Sequence, residues 1–182
     1  RAVFQGNHVK DQDGNWALFA DLGSSPATME AARAADAYGL LPGHAVQQSD
    51  AEQAYTQAWL TGDETWVRLP RDQWPEAWEG MDDPVCPLRL ALYGHPDAGT
   101  DWERHAHAHV TSVGFEPVDN WHSCYWHPEH ELFLVIYVDD FKMSGPPEKL
   151  RRGLELIAQG LDVETPKDIE GQTCLGCKHE RW

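Results

Sequence analysis

The chain of 182 residues is 41% hydrophobic and 10% aromatic, and it sets 14 Lys and Arg against 30 Asp and Glu for a net charge of -16. That apolar content, nine Trp included, excludes an unfolded acidic tail and bounds the chain to one domain or two small lobes. The charge argues against a broad basic face that grips a phosphate backbone, and no window reaches the roughly 20 apolar residues of a membrane helix, so no membrane span is expected.

In chain order, Arg1 to Asn7 alternates loosely and the turn-rich Lys10-Asp11-Gln12-Asp13-Gly14-Asn15 follows, which predicts a hairpin whose second arm starts at Trp16. Ser25 as N-cap, Pro26 at the first helical position and the Ala-rich run from Ala27 to Tyr38 predict a helix closed by Gly39. After Leu41-Pro42-Gly43, His44 to Ser49 reads as a short strand that delivers Asp50 at its end. Ala51 to Leu60 is helical or irregular, Trp66 to Leu69 a second short strand, and Arg71 to Pro87 a long surface loop. Thr100 to Val113 is predicted as a helix, Ser123 to Trp126 and Glu131 to Val138 as two strands around the turn His127-Pro128-Glu129-His130. Pro146 to Gln159 is a further helix, and Gln172 to His179 a final short strand. Strands and helices without a regular βαβ rhythm give an α+β fold, a small antiparallel sheet backed by helices.

The sharpest chemical feature is Leu134-Val135-Ile136-Tyr137-Val138-Asp139-Asp140, an apolar run that ends in two adjacent carboxylates. Carboxylates so close repel, and burial raises their pKa, so they stay ionised only with cations beside them. Two-metal phosphoryl transfer uses that arrangement, with Mg²⁺ ions roughly 3.5 to 4 Å apart. An isolated Asp-Asp also reads as a solvated turn at a strand end. Asp50 adds weight, because it ends another predicted strand and offers a third carboxylate, with Tyr55 five residues on to pack under a nucleotide sugar.

Four ordered segments carry a resemblance: Ser49-Asp50-Ala51-Glu52-Gln53-Ala54-Tyr55, Trp66-Val67-Arg68-Leu69-Pro70, Ala91-Leu92-Tyr93-Gly94 and Tyr137-Val138-Asp139-Asp140. In order and spacing they resemble copia-type retrotransposon reverse transcriptases, with weaker matches at Arg1 to Gly6 and at Cys174-Leu175-Gly176. The resemblance implies a right-hand polymerase without its thumb. Its fingers would take 1–43 and 63–90, and its palm 44–62 with the first catalytic motif and 91–182 with the Tyr-Val-Asp-Asp hairpin and final strand. It also implies that Asp50, Asp139 and Asp140 hold two Mg²⁺ ions, that Tyr55 excludes a ribose 2′-hydroxyl, and that Arg1 contacts the incoming triphosphate. The segment holding Asp97 would lie along the nucleotide as well. There the family usually shows Lys-Gln and then Arg, where this chain has Pro96, Asp97 and Thr100, and Glu52 and Gln5 stand at other usually basic positions. Each change removes a cation or adds an anion near the expected triphosphate or template.

Two functions from different classes follow. One is RNA-directed DNA synthesis, with template-primer nucleic acid and a deoxynucleoside triphosphate as partners. The other is a catalytically inactive, acidic scaffold held by the remaining polyprotein domains or by a host protein assembly. A metal-dependent nuclease using the same carboxylates is a third, which the order of motifs disfavours. Four Cys are too few for a disulfide scaffold and favour a reducing compartment, cytoplasm or nucleus, and no targeting segment is visible after Arg1. Cys174-Leu175-Gly176-Cys177-Lys178-His179 resembles half a zinc site that would need His122, His127 or Cys124 to close it. His105 and His109 share one face of the predicted helix, read as solvated, with His107 pointing away, and Trp74 and Trp78 are expected to pack the long loop.

Overall fold

The computed structural model describes residues 3–17, 24–171, 173–174 and 177–179. Helix α1 spans Met29–Gly39, four of whose first seven residues are Ala, the best helix former. Its cap is Thr28, whose Oγ1 accepts a hydrogen bond from Ala31 N at 3.3 Å, and not the expected Ser25. Ser25 is held by tertiary bonds instead. Its N–H donates to Glu103 at 2.7 Å and its carbonyl accepts from the Ser123 hydroxyl at 3.1 Å, so the backbone stays out of the helix past Pro26.

Strand β1 is Ala45–Asp50, as the pattern predicts, and a 3-10 turn at Ala54–Gln57 follows. Strands β2 (Trp66–Val67) and β3 (Cys86–Pro87) pair with each other, so the long loop between them is the tip of a ribbon, with short 3-10 turns at Arg71–Gln73 and Glu76–Trp78. Trp74 and Trp78 pack edge to face there, with centroids 6.2 Å apart. Helix α2 is Ala98–Ser112, and the strands β4 (Glu116–Pro117), β5 (Cys124–His127), β6 (Leu132–Tyr137) and β7 (Asp140–Gly145) follow. Helix α3 (Pro147–Ile157) has Pro in its first turn, and β8 (Lys167–Asp168) comes after it. In place of one final strand, β9 (Thr173–Cys174) and β10 (Cys177–Lys178) form a small hairpin. Near the other end, Lys10 and Trp16 bridge across the turn as expected, and Gly6–His8 is a 3-10 turn.

The fold is mixed α/β. Six strands form one antiparallel sheet in the order β4-β5-β6-β7-β1-β8, and three α-helices are present among the described residues. Side-chain alternation along β6 and β7 divides two cores. Leu132, Leu134, Ile136, Phe141 and Met143 pack under α2 and α3 with Trp102, Ala106, Val110, Leu150, Leu154 and Ile157. Val135 and Phe133 turn the other way to meet Ala31 and Ala35 of α1. No helix among the described residues is long and apolar enough to cross a membrane.

Candidate active site

Strand β1 lies in the sheet beside β7, in a register that sets Asp50 directly opposite Asp140. Directly opposed residues of an antiparallel pair point to the same face with Cβ atoms about 4.5 to 5.5 Å apart. The two carboxyl groups lie close enough to act on each other's proton affinity. The backbone is pinned around them: Ala51 N donates to Asp139 O at 2.7 Å, Glu164 N to Asp50 O at 2.8 Å, and the Ser49 hydroxyl to Glu164 O at 2.6 Å. Residues half a chain apart are thereby fixed side by side by main-chain bonds and the Ser49 hydroxyl.

Burial pushes the Asp140 carboxyl up from an ordinary 3.8 to about 6, helped by the hydrogen bond to Asp50 and by the charges of Asp50 and Asp139, while a hydrogen bond from Gln48 opposes the shift. Asp50 Oδ1 is buried and has no hydrogen-bond partner. Asp139 is exposed in the two-residue turn between Tyr137 and Asp140.

That turn is strained. Val138 sits at φ 56°, a left-handed backbone that costs an ordinary residue about 1 to 2 kcal/mol, and a β-branched one is a marked outlier there. Hairpin turns favour Gly at such a position. The Val138 carbonyl accepts a hydrogen bond of 2.6 Å from the indole N–H of Trp102, a buried residue in the first turns of α2.

The donor set matches a divalent cation only in part. Among the described residues no group of three or more His, Cys, Asp or Glu side chains is arranged to hold a metal ion. The Asp50/Asp140 pair, however, carries an orphaned buried oxygen and a carboxyl whose proton affinity is raised by burial and by its neighbours, both of which a cation would relieve. Mg²⁺ typically takes one or two protein carboxylates and completes its octahedron with water and substrate phosphates, so an incomplete protein shell fits that ion.

The remaining expected site residues are scattered. Tyr55 is half-buried in the 3-10 turn after β1, its ring 5.7 Å from that of Tyr93, and it lines a cavity of about 60 Å³ with Trp102, Ile136 and Val138. Asp97 immediately precedes α2, where its N–H donates to His95 Nδ1 at 3.1 Å and its carboxylate lies beside Gly62. Arg1 lies outside the described residues, as do the side chains of Cys174 and Cys177. Of the other zinc candidates, Cys124 is buried in the core under α1, which pushes its thiol up to about 11, and His127 stacks on His130. His179 instead meets Asp36 at 3.1 Å and Lys142 at 3.3 Å.

The helix histidines are not a solvated face. His109 contacts the Leu156 carbonyl at 3.1 Å and His105 packs on Trp102, because that face of α2 turns toward α3 and the sheet. The more exposed His107 meets the Tyr125 hydroxyl at 3.2 Å.

Three residues around the site carry no sequence signal for their part in it. Gln48 bonds Asp140 from two residues before Asp50, Trp102 reads as core on the i, i+4, i+8 stripe with Ala106 and Val110, and Lys142 is buried against Asp36 at 2.6 Å. No family model, curated protein or solved structure matches the chain.

Proposed function

We propose that the chain is the fingers-and-palm part of an RNA-directed DNA polymerase of copia-type retrotransposon lineage, working by nucleotidyl transfer. One observation carries the reading: the β1–β7 register that pairs Asp50 with Asp140 beside the Asp139 turn. In this reading Asp50 and Asp139 hold two Mg²⁺ ions, Asp140 supports them, Tyr55 limits the sugar pocket to deoxyribose, and Arg1 and the Asp97 segment border the triphosphate. The bound ions would draw charge off the attacking and leaving oxygens of a primer 3′-hydroxyl and an α-phosphate. The protein's share is to orient the carboxylates.

A second reading is favoured by the -16 charge: an acidic, catalytically silent scaffold that keeps the palm sheet and serves a larger assembly. Mn²⁺ titration of the chain, followed by primer extension on a homopolymer RNA template with a DNA primer, separates the two. The polymerase reading expects metal-dependent extension that falls by roughly 10³-fold or more in Asp50→Asn and in Asp139→Asn. Metal binding with neither extension nor template affinity would establish the scaffold instead.

A further inference from the structure

The geometry points to Trp102 as a positioning residue that clamps the acidic turn through its indole N–H. Three observations converge on it. Val138 holds a left-handed backbone that its branched side chain disfavours, so an outside contact must keep the turn from relaxing. The only side-chain donor recorded on the Val138 carbonyl among the described residues is Trp102 Nε1, at 2.6 Å. That indole is itself immobile, 2% exposed, set edge to face against Phe141 of β7 at 6.5 Å and flanked by His105.

Trp102 thus touches the carbonyl immediately before Asp139 and the ring of Phe141 immediately after Asp140, so one side chain of α2 fixes both ends of the acidic pair. Without the N–H, the Val138 backbone is free to rotate out of the left-handed region to negative φ, which relieves its branched side chain and re-aims the following Asp139 carboxylate. The small cavity lined by Trp102, Val138 and Tyr55 leaves room for such a movement.

The test replaces the Trp102 indole by its benzothiophene isostere, which keeps the ring's shape and removes the donor, and pairs it with Trp102→Phe. Two quantities are read on the full chain: the one-bond Cα–Hα coupling of Val138, which distinguishes positive from negative φ, and the Mn²⁺ dissociation constant. The expected result is a coupling shifted toward negative φ and Mn²⁺ affinity weakened by about tenfold, the worth of one buried hydrogen bond. Val138→Gly, to which the left-handed backbone costs nothing, should restore Mn²⁺ affinity in the Trp102→Phe background. A purely structural role for Trp102 would not be rescued that way.

An unchanged Val138 coupling in the isostere overturns the clamp, as does a Trp102→Phe defect that Val138→Gly leaves in place. The metal readout rests on the polymerase reading but the coupling does not. If the unaltered chain binds no Mn²⁺, that reading fails while the Val138 coupling still decides the role of Trp102.

Discussion

Asp140 is the residue whose chemistry departs furthest from the ordinary. Its folded-state pKa is raised, so the fold binds its proton more tightly than the unfolded chain does, and this group's contribution to stability falls as pH rises from about 4 to about 6. Asp140→Asn removes that dependence. The variant should match the parent near pH 4 and exceed its stability at pH 8 by on the order of 1 kcal/mol, after discounting for the half-exposed position. Urea midpoints at the two pH values check it, and a variant less stable at pH 8 would rule it out. Lys142, buried and paired with Asp36, is the opposite case. Lys142→Ala leaves Asp36 without its cation and should cost about 3 kcal/mol, read by the same melts, with His179 recovering part of the loss. Asp140 was legible in the sequence because the apolar run of β6 stops just before the acidic pair, and Asp50 because it ends a predicted short strand. Lys142 was not, because its partner lies far away on α1 and nothing local marks a Lys as buried.

Among the elements, the long periodic segments were the readable ones. Helices α2 and α3, the body of α1 and strands β1, β5 and β6 fall where hydrophobic pattern and helix punctuation put them. Strand β7 was not assigned, since the polar Lys142 and Ser144 keep Phe141-Lys142-Met143-Ser144 from standing out as a buried run, although both its faces are covered, one by α3 and one by α1. The start of α1 was misread because Ser25-Pro26 imitates a helix start, while bonds to Glu103 and Ser123 hold Ser25 outside the helix. The packing of α3 on the sheet yields a sharper prediction. A Cβ on Gly153 would come within 2.4 Å of Leu132 Cδ1 and 2.6 Å of Met143 Sδ, both buried. Gly153→Ala should therefore destabilise by about 1 to 2 kcal/mol, with overpacking outweighing the helix propensity gained. A measured stabilisation would mean that α3 stands off the sheet.

At the scale of the molecule the net charge of -16 dominates. Like charges repel across the surface, and salt screens them, so raising NaCl from 0.01 to about 0.5 M should raise the melting temperature by a few degrees, about 2 to 4 °C for each kcal/mol of repulsion removed. Calorimetry in a salt series checks this, and a falling melting temperature would mean that ion pairs such as Lys142–Asp36 outweigh the repulsion. The strand order carries a kinetic implication as well. Strands β5, β6 and β7 are a meander of neighbours that can zip locally, whereas β1 must find its place between β7 and β8 across a loop of half the chain. Closing so large a loop is entropically unfavourable and is reached late, after local pairing has formed. The Asp50–Asp140 pair is therefore born in the last steps of assembly, and a refolding intermediate with a complete meander should still be blind to divalent ions.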